Sequence, residues 1–263
     1  MTNDEQAFLN AICAHPADDT ARLVYADWLA EHGQEDRGEF IRVQIEFERT
    51  PPTTEDDERR RKVLLNRRDA LLKRHKAEWL APFMPFVKET AFERGFVQSL
   101  DVPANAFLEN AEKWFALTPL TCVRITVVNL WDPATHSPMR WVEQLLSSPL
   151  LSRLESINLE SLQLTAADLQ PLAAHKDLSR LRELLLARNH LRSEGAALLA
   201  NTPWLRHLES LDLCGNGISD SGARAIAQSA YLGGLTALRM SRNPIRDSAW
   251  SALENRFGDV LVG

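Results

Sequence analysis

At 263 residues the chain can hold one large or two modest domains, and 44% hydrophobic with 25% charged residues is ordinary for a globular protein. A net charge of −6 and a pI near 5.7 speak against a general binder of nucleic acid or acidic membranes, which would be basic. Cys13, Cys122 and Cys214 are odd in number, far apart and without CxxC spacing, which argues against a disulfide framework or a zinc site and for a reducing cytoplasm. The first ten residues, MTNDEQAFLN, lack the basic-then-apolar pattern of a secretory signal, and no stretch reaches transmembrane length.

Residues 1–49 predict a small helical unit. Thr2 and Glu5 have capping-box spacing, Phe8, Leu9 and Ile12 share one face, and Pro16 follows the stop. A second helix from Asp19 or Thr20 carries Leu23, Val24, Ala26, Trp28 and Leu29, and Gly33 stands where a C′ glycine belongs. A third spans about 37–48, with Phe40, Ile41, Gln44 and Phe47 at helical spacing. So few apolar residues make a thin core, so this unit should dock onto the next element. Residues 50–82 predict a linker, TPPTTEDD, and a long helix over about 55–80. Its leucines recur roughly every seven residues, and nine cations from Arg59 to Lys76 occupy the other surface.

Residues 83–263 are dominated by a repeat. Leu154, Leu181, Leu208 and Leu235 are each 27 residues apart and open the phrases LESINLESLQL, LRELLLARNHL, LESLDLCGNGI and LTALRMSRNPI. The pattern L-x-x-L-x-L-x-x-N-x-L is the leucine-rich-repeat signature. It predicts an α/β solenoid with parallel strands on the concave face and helices on the convex face, preceded by the helical cap. Helices are expected at about 165–175, 193–201, 220–229 and 247–256, and DVLV at 259–262 as a last edge strand. Two less regular repeats precede these, at VQSLDV (97–102) and LTCVRI (120–125), each followed by a helix, AFLENAEKWFAL and PMRWVEQLLSS. The loop WDPATHSP, 131–138, lengthens the second. Over about 95–263 the long, half-helical unit resembles the ribonuclease-inhibitor class of leucine-rich repeats, which includes the Ran GTPase-activating protein.

The N-terminal stretch AFLNAICAHPADDTARLVYADWLAEHGQEDRGEFIRVQIEF, above all RLVYADWLAEHG, resembles the repeat-companion domain. That short module precedes leucine-rich repeats in many planctomycete and myxobacterial proteins. EWLAPF and RGFVQSLDVPANAFLENAEKWFALTPL also look like that family. The resemblance implies an architecture and carries no chemistry.

Asn189, Asn216 and Asn243 form an asparagine ladder whose amides should satisfy backbone groups in the loops after the strands. Leu162 and Val128 occupy that position in two earlier repeats, so the ladder should be incomplete there. Between the leucines, alternation places Arg124, Asn158, Glu160, Glu183, Leu185, Asp212 and Arg239 on the outer strand face, the candidate partner-binding surface. Arg124 and Arg239 are its best anchors, with Arg188 and Arg242 on adjoining loops. Tyr25, Asp27 and Trp28 read better as packing and local pairing than as a site. The basic helix could meet phosphates, but it lacks interleaved aromatics. Seven dispersed histidines make no metal site, and GxSxG, P-loop and GxGxxG motifs are absent. The expectation is a monomeric, cytoplasmic, non-catalytic protein-interaction module, with no cofactor and no membrane or nucleic-acid partner. Regulation of an enzyme such as a small GTPase is the alternative, by analogy with the Ran activator.

Overall fold

Side-chain caps start three of the N-terminal helices in the computed structural model, which describes residues 2–85, 90–126 and 140–262. Thr2 accepts from the Glu5 N–H at 3.1 Å and starts α1, Asn3–Ala14. Asp18 accepts from the Thr20 N–H at 2.8 Å and starts α2, Asp19–Glu31. After the left-handed Gly33, α3 runs over Glu35–Arg49, two residues earlier than expected. Glu35 and Asp36 suit the positive end of the helix dipole and extend it. A complete capping box, Thr54 with Asp57, starts α4, Glu55–Leu80. Among the described residues no helix is long and apolar enough to cross a membrane.

The chain divides into two compact units, Met1–Leu100 with Asn110–Leu120, and Asp101–Glu109 with Thr121–Gly263. In the first, Leu9, Ile12, Tyr25, Ala26, Leu29, Ile41 and Ile45 form a core that is completed by Phe96. Phe96 opens the strand β2, Phe96–Pro103, which pairs antiparallel with β1, Thr90–Glu93. This hairpin was not expected. Its signal was Arg94–Gly95, a two-residue turn with both residues left-handed (φ 47° and 87°), which matches the twist of the flanking strands. Gln44 clamps the turn to α3: its Oε1 accepts from the Gly95 N–H at 2.5 Å and its Nε2 donates to the Phe92 carbonyl at 3.1 Å. A Cβ on Gly95 would lie 2.8 Å from Ile41 Cα, so only glycine lets the hairpin sit this close. The helix α5, Ala104–Leu117, holds Trp114, whose indole donates to the Pro82 carbonyl at 3.1 Å.

The second unit alternates parallel strands and helices. They are β3 Cys122–Thr126, α6 Arg140–Leu146, β4 Ser156–Asn158, α7 Gln170–Ala173, β5 Glu183–Leu185, α8 Arg192–Ala200, β6 Ser210–Asp212, α9 Asp220–Gln228, β7 Ala237–Arg239, α10 Asp247–Phe257 and β8 Leu261–Val262. Within this unit the strands follow chain order in the sheet, from β3 to β8. From β4 to β7 each strand pairs with the residue 27 further on: Ile157 with Leu184, Leu184 with Leu211, Leu211 with Leu238. All four are buried, as are the leucines that open each phrase. After each strand the same turn needs a left-handed residue, supplied by Ser161, Arg188, Gly215 and Arg242 at φ 60°, 56°, 64° and 58°. Glycine adopts this backbone without the Cβ strain of the others. Arg242→Gly should therefore stabilise the protein by about 0.5–1 kcal/mol, read as a higher urea midpoint; a lower midpoint would overturn the assignment.

Two expectations are corrected. The helix expected over 165–175 is only Gln170–Ala173. Asp168 ties back the Thr165 N–H and hydroxyl at 2.8 and 2.6 Å, and Pro171 has no N–H to give, so the helix starts late. The last strand comes early: Leu238 pairs with Leu261 and Arg239 with Val262, a step of 23. The 3-10 turn Gly258–Val260 leads from α10 directly into β8, whereas a longer connection, with the 3-10 turn Pro203–His207, links α8 to β6. The loop at 131–138, Pro138, Met139 and Val128 lie outside the described residues.

Candidate functional site

Strand register builds the outer face column by column. Cys122, Ser156, Glu183, Ser210 and Ala237 are successive partners, and so are Arg124, Asn158, Leu185, Asp212 and Arg239. Arg124 is exposed, and the other members of both columns, with Glu160 two residues beyond Asn158, are half-buried. Several are already engaged. Arg124 lies 3.7 Å from Asp101, and Arg188 pairs with Glu160 at 3.3 Å. Ser156 donates to Glu183 at 2.7 Å, and Asp212 accepts from the Cys214 N–H at 2.9 Å, as Asn158 does from that of Glu160. Glu183 and Asp212 form no ion pair among the described residues, and Arg239 stands beside Asp212 in register. Burial raises the Cys214 thiol above its ordinary range, so it is a neutral group on this face and not a thiolate nucleophile.

Behind the face the asparagines bind backbone. Asn189 Nδ2 donates to the Leu159 and Leu186 carbonyls at 2.9 Å, and its Oδ1 accepts from the Leu162 and Leu164 N–H groups at 3.0 Å. Asn243 repeats this with Leu213, Met240, Asn216 and Ile218. Asn216 differs: its Nδ2 donates to Leu186 and Leu213, but its Oδ1 is buried with no partner among the described residues. In the facing loop the second left-handed residue is Arg192, two places later than Gln163 or Gly217 in the neighbouring repeats, allowing for the period. Leu162 fills the earlier position and is buried.

The model of the Leucine Rich repeat family matches residues 205–227. No curated protein matches the chain. The matched leucine-rich repeat starts before β6 and ends within α9, so it covers Asp212, Cys214 and Asn216. Leucine-rich repeats are generally protein-interaction modules. Among the described residues no group of three or more His, Cys, Asp or Glu could hold a metal ion, and the three cysteines are free.

The basic surface of α4 is largely spent within its own unit. Arg60 pairs with Glu46 and Arg67 with Glu39, both on α3, while Arg61 donates to the Phe47 and Thr50 carbonyls at 2.9 and 2.5 Å. Arg59 and Arg68 hold Asp56 and Asp69. Glu39 and Glu46, on another helix, were invisible to a reading of α4 alone. Asp27 pairs with Arg42 at 2.6 Å, Tyr25 is core, and Trp28 packs against it.

At the end of α4 the Asp36 carboxylate takes His75 Nε2 at 2.7 Å and Arg74 at 3.2 Å, and His75 Nδ1 lies 3.1 Å from Glu78. Its hydrogen bond to Asp36, then that to Glu78, raises His75 above 6.5. That stabilisation is complete below 6.5 and is lost as pH rises through the folded value. His75 also holds Asp36 below 3.8, which adds stability that is lost as pH falls through the lowered value. Partial exposure keeps both effects small. The urea midpoint should fall on the alkaline side of 6.5 in the wild type and stay flat there in His75→Gln; equal slopes would refute the coupling.

Proposed function

We propose that this chain is a non-catalytic protein-interaction module whose partner binds the outer face of β3–β7. The observation that carries the reading is the strand register, which sets polar side chains of five repeats side by side on one surface. In this reading residues 83–263 form a short solenoid of the ribonuclease-inhibitor class with that face concave. Residues 1–49 are a repeat-companion domain, joined through the linker and basic helix at 50–82. The protein works as a monomer in a bacterial cytoplasm. Asp101 and Glu160 already have cations, so the charges left to a partner are acidic Glu183 and Asp212 and basic Arg239. A fitting ligand places a basic group over the first two and an acidic group over the third.

The test begins with affinity capture from the native host. Calorimetry then compares Glu183→Gln with Asp212→Asn, as a double variant, against a control on α4, Lys62→Glu with Lys73→Glu. Asparagine keeps the acceptor for the Cys214 N–H, so only charge is removed. Binding should weaken by about tenfold or more, equal to about 1.4 kcal/mol, in the face variant alone. Loss in the control with an unaffected face variant would move the site to the helical unit.

A further inference from the structure

A cavity of about 320 Å³ lies between the start of α3 and the end of α4, lined by Gln34, Asp36, Arg37, His75, Glu78 and Trp79. That is within the size range of small-ligand sites, about 300–1,000 Å³. Arg37 packs its guanidinium against aromatic rings, 4.7 Å from the Trp79 centroid, 5.5 Å from Phe96 and 5.6 Å from Phe40. Its Nη1 is sealed from water and, among the described residues, has no acceptor. The neighbouring arginines differ: Arg67 and Arg74 each hold a carboxylate. Of the acids on the cavity wall, Asp36 is engaged by His75 and Arg74 and Glu78 by His75, while Glu35 has no ion pair among the described residues. Arg37 thus makes no direct ion pair among the described residues, although Glu78 lies near enough to favour its charge, and burial lowers its pKa to about 10. A helix of 15 residues also begins at this wall, and its N-cap, Gln34, makes no side-chain capping bond. Its first N–H groups and dipole add positive potential beside Arg37.

We propose that this cavity binds a carboxylate, gripped by the Arg37 guanidinium and the first turn of α3. A planar, singly charged group matches the guanidinium fork. A phosphate dianion would bring a second negative charge against Glu35, Asp36 and Glu78, so it is disfavoured. The carboxylate comes from a small free acid or from the C-terminus of a peptide, and the cavity has room for either.

The experiment is a nuclear magnetic resonance titration of the full chain at about pH 6, where His75 carries its proton. The Trp79 indole and Arg37 Nε–H signals are followed. Sodium acetate and the tripeptide Gly-Gly-Ala should give saturable shifts. Sodium chloride and the amidated tripeptide should not, and sulfate, which at this pH is the dianion that phosphate is not, should bind at least about tenfold more weakly. Tripeptide binding tighter than acetate identifies a peptide end as the source, and equal binding identifies a small acid. Arg37→Lys, which keeps the cation, should weaken acetate binding by at least about tenfold. In case that variant loosens the aromatic cluster, Glu78→Gln is run beside it and should bind acetate at least as well as the wild type. The proposal falls if neither carboxylate gives a saturable shift, if sulfate binds equally well, if a folded Arg37→Lys binds like the wild type, or if Glu78→Gln abolishes binding.

Discussion

Replacing Leu211 with alanine should destabilise the protein by about 2–5 kcal/mol, the range for truncating a core leucine whose cavity cannot collapse. Leu211 is 0% exposed and lies between Leu184 and Leu238 on the adjoining strands. Those neighbours are pinned by their own parallel ladders, so the hole stays open. Leu261 offers the contrast. It sits in the two-residue strand β8, paired on one side to Leu238 and only partly buried, so Leu261→Ala should cost under about 1.5 kcal/mol. Urea unfolding with unchanged slope measures both. Equal losses at the two positions would mean that the inner strands are packed no better than the edge.

The second large effect is an asymmetry inside the ladder. Asn189→Ala should cost about 3–5 kcal/mol, because it strips partners from buried groups that have no substitute. The Leu162 and Leu164 N–H groups and the Leu159 carbonyl depend on that one side chain. The Leu186 carbonyl does not, since it also accepts from Asn216. Asn216→Ala is different in kind. The Leu186 carbonyl keeps Asn189, the Leu213 carbonyl keeps Asn243, and the lost Oδ1 was serving nothing. Its loss should be about 1 kcal/mol or less, mostly repacking. Two asparagines of the same motif should therefore differ by about 2 kcal/mol or more in urea unfolding. Matching values for the pair would refute the shared-carbonyl account.

What could be read in the linear chain was local or periodic. The caps at Thr2 and Thr54, the stop before Pro16 and the left-handed Gly33 are local chemistry, and α1, α2 and α4 follow from them. The step of 27 is periodic, and it placed Ile157, Leu184, Leu211 and Leu238 opposite one another. What was missed depends on partners distant in sequence. Gln44 reads as one more residue of a helix face until Gly95 and Phe92 arrive 51 and 48 positions later. The cations of α4 look free until Glu39 and Glu46 face them from α3. The cavity at Arg37 joins residues 33–37 to 75–79, and no motif spans that gap. The short α7 is the exception, since Pro171 was visible and a helical pattern of apolar residues outweighed it.

The constant offset between β4 and β7 bears on how such a chain changes over generations. The main-chain bonds between neighbouring strands there link residues about 27 positions apart, as in Leu186 to Asp212 and Leu213 to Arg239. Unequal recombination that adds or removes one whole unit would leave the same bonds to be made at the new junction. An insertion of a single residue within a strand would turn every later side chain in it to the opposite side of the sheet. The array can thus lengthen or shorten in whole units without new packing having to be invented. The step of 23 at β8 breaks the constant offset, so that freedom belongs to the units from β4 to β7.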